Sequence, residues 1–131
     1  MILVDTSVLI DLFKGNDNKV VYVFQEVIQQ QVPFAITSLI YQEILQGART
    51  RKEYIILNKY LSTQRFFHPK DQLVSYAGAA DIYFSCRKMG VIIRSTIDCL
   101  IAQIALEHDL FLLHNDQDFR AMKKVVDLKF Y

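Results

Sequence analysis

Three short runs of uncharged, mostly apolar residues constrain this chain most: Met1 to Val4, Pro33 to Ile36 and Leu110 to Leu113. None alternates apolar with polar positions, so none reads as a strand with one wet face. Continuous apolar strands are those buried on both faces of a parallel sheet. The residues that follow each run are ones that start helices: Asp5-Thr6-Ser7, Thr37-Ser38 and, after His114-Asn115, Asp116-Gln117-Asp118. Their side-chain oxygens accept hydrogen bonds from the free N–H groups of a first helical turn. Thr6-Ser7 is expected to cap a helix running to about Lys14, with Gly15 just beyond its end. Val20 to Gln31 carries Val20, Val23, Phe24, Val27 and Ile28 on one stripe and predicts a second helix.

Further helices are expected from Leu39 to Gln46, around Glu53 to Leu61, and from Gln72 to Lys88, the last ended by Gly90. Val91 to Ile93 is a brief apolar segment. Ser95 is expected to cap a nearly all-apolar, central helix from Thr96 to His108. A short helix follows Asp118, and Arg65 to His68 and Asp127 to Tyr131 complete the strands. Short apolar strands alternating with helices predict an α/β fold, a single domain over 1–131 with a mostly parallel central sheet flanked by helices.

Composition narrows the function classes. Of 131 residues, 52% are apolar and 22% charged, which excludes an intrinsically disordered chain. No 18-residue uncharged apolar run exists, so no transmembrane helix is expected. The acid at Asp5 and the lack of a basic leading region argue against a signal peptide, and the expectation is a soluble cytoplasmic domain. Fifteen Lys+Arg against 14 Asp+Glu give a net charge of +1, so any nucleic-acid footprint must be a local patch. Arg49, Arg51 and Lys52 form one basic cluster and Lys123 and Lys124 another; either is a solvated face or steers a polyanion. Cys86 and Cys99 are too few for a disulfide scaffold and are expected to be reduced, with Cys99 buried as a small hydrophobe. His68, His108 and His114 lack ligand spacing, which argues against zinc. There is neither a nucleophile elbow nor a Gly-rich phosphate loop.

The acids are more informative. Ligands of open parallel sheets bind beyond the carboxyl ends of the strands, where Asp5 and Asp116 fall. Asp98 opens the apolar helix just before the Leu110 strand. Each has a bland alternative: Asp5 and Asp116 as helix caps, and Ser95-x-x-Asp98 as a capping box. Glu43 does not fit that account. It lies in the second helical turn, with Leu39, Ile40, Ile44 and Gly47 as its helical neighbours. A carboxylate on an apolar stripe is costly unless paired, for example with Arg49, or bound to a metal. Several carboxylates in one pocket repel one another unless a cation neutralises them, and hard cations such as Mg²⁺ or Mn²⁺ prefer oxygen ligands. Asp118 either orients such a site or sits in the first turn of its helix.

The blocks DTSVLIDLFKG at 5–15, TSLIYQEILQGA at 37–48, STIDCLIAQIALEHD at 95–109 and NDQDF at 115–119 resemble those of PIN domains, most closely the VapC-type toxins of toxin–antitoxin pairs. The resemblance spans nearly the whole chain and is weakest over 53–70. It implies a metal-dependent endoribonuclease with Mg²⁺ or Mn²⁺ held by Asp5, Glu43, Asp98 and Asp116. Thr6 or Ser7 matches the hydroxyl position beside the first acid, and Asp118 is the acid of the Asp-Phe pair. The division of the fourth role between Asp116 and Asp118 stays open. An RNA substrate, a cognate antitoxin and a homodimer are implied too. The alternatives are a PIN ribonuclease of RNA processing without an antitoxin, and a noncatalytic RNA- or protein-binding module. A phosphatase with Asp5 as nucleophile is disfavoured, because Ser7 stands where that chemistry needs a second Asp.

Overall fold

The computed structural model describes residues 1–131. Its sheet has five strands: β1 (Ile2–Val4), β2 (Phe34–Thr37), β3 (Arg65–Phe67), β4 (Phe111–Leu113) and β5 (Lys129–Phe130). They lie in the order β3-β2-β1-β4-β5, and every pairing is parallel. The helices are α1 (Thr6–Phe13), α2 (Lys19–Gln29), α3 (Ser38–Gln46), α4 (Arg51–Leu61), α5 (Val74–Lys88), α6 (Thr96–Glu107) and α7 (Gln117–Met122). The α/β class thus stands, with a sheet that is wholly rather than mostly parallel.

The apolar strands behave as their composition demands. Ile2, Leu3 and Val4 of β1 are all buried, as are Leu112 and Leu113 of β4. Each buried apolar side chain contributes roughly 1.5–3 kcal/mol relative to exposure, so these short strands anchor the centre of the domain. The nearly all-apolar α6 is as central as expected, with Cys99, Leu100, Ile101, Ala102, Ile104 and Ala105 buried. Burial pushes the Cys99 thiol up to about 11, and Cys86 is also raised, so both are inert packing residues. Neither forms a disulfide. No helix is long and apolar enough to cross a membrane.

Several boundaries differ from the sequence expectation for local reasons. Asp5, not Thr6-Ser7, caps α1, because its extended backbone lets its carboxylate accept from Ser7 N–H. α5 begins at Val74 rather than Gln72, since Asp71 Oδ1 accepts the N–H groups of Leu73 and Val74 at 2.8 and 2.7 Å. The brief apolar segment Val91 to Ile93 is a connector that buries Ile93. It follows Gly90, whose φ of +77° suits a residue without Cβ at the end of a helix.

The topology places the site. From central β1, the chain crosses to β2 on one side, and β4 returns on the other. Such a switch in direction opens a crevice at the carboxyl edge. Val4 is registered with Leu113, so Asp5 and the His114–Asp118 segment emerge side by side there. Asp5 N–H continues the ladder to the Leu113 carbonyl at 3.0 Å.

Candidate active site

Asp5 stands at the end of β1, 3% exposed. Its Oδ2 accepts from Ser7 N–H at 3.0 Å and from the Ser7 hydroxyl at 2.6 Å. Ser7 Oγ in turn accepts Asn115 N–H at 3.0 Å, so one hydroxyl ties the β1–α1 junction to the β4–α7 loop. Asn115 is held again through its Nδ2, which donates to Asp11 Oδ2 at 3.1 Å. Burial, and secondarily the charge of Asp116, raises the Asp5 carboxyl above its ordinary value despite the Ser7 hydrogen bonds.

Glu43 projects from α3 toward the same place. It is half-buried, and the Thr6 hydroxyl donates to its Oε1 at 3.3 Å. No lysine, arginine or histidine comes within ion-pair distance of it, so the pairing with Arg49 does not form. Burial raises its carboxyl, and the charge of Asp5 adds to that. Glu43 is therefore less enclosed than its helical neighbours imply, and it faces acids rather than a base.

Asp98 lies in the first turn of α6 and is 9% exposed. The capping-box alternative fails here: Ser95 makes no side-chain cap hydrogen bond, so Asp98 has no reciprocal partner. Burial, then the charges of Asp5, Asp116, Glu43 and Asp118, push its carboxyl up to about 7. No hydrogen bond lowers it. A carboxylate normally escapes such a shift only through a donor or a cation.

Asp116 and Asp118 enter from the loop after β4. Asp116 caps α7, its Oδ1 accepting Asp118 N–H at 2.9 Å. Its own N–H donates to Nδ1 of buried His114 at 3.1 Å. The His114 ring packs against Phe119 and Phe130, with centroids at 5.2 and 4.3 Å. Burial, helped by the charge of Arg120, holds His114 down to about 4, so it is a neutral acceptor that fixes the start of the loop. Asp118 is buried, and its Oδ2 accepts Arg94 N–H at 3.0 Å, which pins the segment before α6. The Arg94 guanidinium reaches Asp116 Oδ1 and Asp118 Oδ1, each at 3.4 Å.

The fold thus gathers all the acids singled out in the sequence at one edge. Asp98, Asp116 and Asp118 offer oxygens within 4.8 Å of one another. Asp5 and Glu43 flank them closely enough for their charges to act on Asp98. Five carboxylates meet one flexible guanidinium. An all-oxygen set of this kind fits a hard divalent cation and gives no soft or nitrogen ligand for zinc.

Comparison with known proteins adds the family. The family model of the PIN domain matches residues 2–125. The chain belongs to the PIN-domain family. Among curated relatives of this PIN domain is Ribonuclease VapC11 of Mycobacterium tuberculosis, 28% identical over 130 residues, covering 98% of this chain and 96% of the relative. Among solved structures, VapBC2 from Rickettsia felis bound to a promoter DNA fragment matches with a TM-score of 0.75 at 18% identity, covering 100% of this chain and 98% of that one. VapBC-1 from nontypeable Haemophilus influenzae matches with a TM-score of 0.75 at 23% identity, covering 100% and 97%. These structural likenesses establish the fold.

Two residues of this PIN domain escaped sequence reasoning. Arg94 is an exposed loop arginine with no pattern to mark it, although it directly precedes the segment that delivers Asp98. His114 carried one signal, its place at a strand end of the carboxyl edge.

Proposed function

We propose that this PIN domain, acting as one unit over 1–131, is a divalent-metal-dependent endoribonuclease and the toxin half of a toxin–antitoxin pair. The observation that carries the proposal is Asp98: a buried carboxylate raised to about 7 by burial and four like charges, with no hydrogen-bond donor. An acidic cluster built this way is stabilised by a cation, and Mg²⁺ or Mn²⁺ suits its oxygens. The VapC ribonuclease relatives support RNA as the substrate.

In this reading Asp5, Glu43, Asp98 and Asp116 would hold the metal, directly or through water. A bound divalent cation supplies positive charge for a phosphodiester oxygen and acidifies water. Glu43, at the solvent side of the cluster and oriented by Thr6, accepts the proton as water oxygen attacks phosphorus. The P–O bond opposite the incoming oxygen breaks, and solvent protonates the leaving oxygen. Ser7 keeps Asp5 and the Asp116 loop in register. Asp118 has its Oδ2 committed to the Arg94 backbone and serves as the positioning acid, which gives the fourth ligand role to Asp116.

Partners follow the same logic. A cavity of about 530 Å³ runs beside the cluster, with Glu43 in its wall together with Ile10, Phe13, Lys14, Arg49 and Leu57. Its lining mixes apolar side chains with Lys14, Arg49, Glu43 and Glu53, which suits an amphipathic partner segment, and the solved VapBC structures support an antitoxin partner. A homodimer is supported by the apolar face of α5 and its surroundings, where Leu73, Val74, Tyr76, Phe84 and Ile92 are exposed. The cytoplasm is the compartment that an RNA substrate and two free cysteines favour.

Cleavage of single-stranded RNA by the purified chain in Mg²⁺ or Mn²⁺ and in EDTA tests the proposal. Cleavage with either metal, lost in EDTA and lost in Asp98→Asn, is the expected result. EDTA-resistant cleavage would refute the metal mechanism, and no cleavage under any condition would favour a noncatalytic module.

A further inference from the structure

The nuclease proposal leaves one charged group without a role. Arg94 is the only cation within ion-pair distance of the acid cluster. Its main chain and side chain are held very differently. The backbone N–H is fixed to Asp118 Oδ2 at 3.0 Å, which roots the residue at the rim of the site. The side chain is 73% exposed, and its two ion pairs are long, at 3.4 Å each. Exposed pairs of that kind are worth little, so the guanidinium is weakly held. It makes two contacts, to Asp116 Oδ1 and Asp118 Oδ1, although it carries five N–H donors in a planar fork. Asp116 also belongs to the three-acid set whose oxygens lie within 4.8 Å, so a cation bound there and the guanidinium draw on the same carboxylate group.

We propose that Arg94 is the phosphate-binding residue of this site. Its guanidinium rests on Asp116 and Asp118 when no divalent cation is bound, and a cation on Asp116 releases it outward, where it takes a backbone phosphate of the RNA. The fork geometry that grips a carboxylate weakly here matches a phosphate bidentately. Asp118 then has a clear purpose: it holds the root of Arg94 beside Asp98 and Asp116, so the phosphate lands next to the metal ligands. The phosphate half of this proposal rests on the nuclease reading, whereas the competition with a cation does not.

The test compares the full-length wild type with Arg94→Ala and Arg94→Lys. All three keep the backbone N–H that Asp118 accepts. Mn²⁺ alone is titrated calorimetrically into each protein without RNA. Removing the competing guanidinium in Arg94→Ala should tighten Mn²⁺ binding about two- to fivefold, the range an exposed ion pair commands. Arg94→Lys should lie between. In parallel, steady-state cleavage of a mixed-sequence single-stranded RNA is followed at several salt concentrations. Arg94→Ala should raise KM several-fold and make the salt slope of log(kcat/KM) shallower by about 0.7, as expected for one lost phosphate contact on a single strand. Arg94→Lys should recover most of the slope but only part of KM. Unchanged or weakened Mn²⁺ binding in Arg94→Ala would overturn the competition. An unchanged salt slope would overturn the phosphate contact. If the wild type cleaves no RNA with either metal, the nuclease reading fails and the phosphate contact with it, while the Mn²⁺ titration still decides the competition.

Discussion

Asp98→Asn isolates the electrostatic cost of the cluster, and its size follows from the structure. The Asp98 carboxyl titrates at about 7 in the folded chain against an ordinary 3.8. That gap of about three pH units corresponds to roughly 4 kcal/mol at about 1.4 kcal/mol per unit. The sign is set by proton counting. Between pH 4 and 7 the unfolded chain has lost the Asp98 proton and the folded chain has kept it, so wild-type stability falls as pH rises through this window. Above pH 7 both forms are ionised and the penalty is full. Asparagine keeps the shape of a protonated aspartate and carries no such penalty. In EDTA at pH 8 the variant should therefore melt higher than wild type. Even half the worked penalty, about 2 kcal/mol, would move the midpoint by roughly 5–10 °C for a chain of this length. The difference should shrink toward zero near pH 4. Adding millimolar Mg²⁺ or Mn²⁺ should reverse the order, because only the wild type gains from ligation. Thermal melts by circular dichroism across pH 4–8 follow all of this. A variant less stable than wild type in EDTA at pH 8, or a difference independent of pH, would refute the reasoning.

Three further substitutions separate the other roles. Glu43→Gln should reduce the melting shift produced by Mn²⁺ without lowering stability in EDTA, since Glu43 has no ion-pair partner to lose; equal Mn²⁺ shifts in variant and wild type would remove it from the metal. Asp116→Asn should abolish cleavage while keeping its cap and its fold, whereas Asp118→Asn should cost about 1–3 kcal/mol of stability by weakening its charged hold on the Arg94 N–H, with partial loss of cleavage. Paired melts and cleavage assays read both, and the opposite pattern would exchange the two roles. Ser7→Ala breaks the bridge between Asp5 and Asn115 and should cost about 1 kcal/mol in denaturant unfolding and lower kcat more than it raises KM; a pure KM effect would contradict a positioning role.

Much of this architecture was legible before any coordinates. The Ile2–Val4 and Phe111–Leu113 strands declare themselves because strands buried on both faces carry no alternation, and the buried α6 because apolar residues occur all around it. Glu43 stands out because it lies too deep in its helix to cap it and on an apolar stripe, although it proves half-buried rather than enclosed. Helix starts were harder. Asp5 and Asp116 do cap α1 and α7, so for them the capping and site roles coexist; for Asp98 they do not. Asp71 set the start of α5 through two backbone N–H groups, a loop geometry that sequence spacing does not encode. The order of the strands was not deducible from periodicity, and the placement of Asp5 beside the Asp116 loop depends on that order. Arg94 was silent because its role comes from a contact with Asp118 across the fold, not from its neighbours in the chain.

The central claim is that these carboxylates form a divalent-cation site. Anomalous diffraction from crystals soaked in Mn²⁺ tests it most directly. The account predicts a Mn²⁺ peak within coordination distance of Asp98 and Asp116, with Asp5 on the same ion directly or through water and the Arg94 guanidinium displaced from Asp116. A fully soaked crystal with no anomalous peak among these acids, and with the guanidinium still on Asp116 and Asp118, would contradict it.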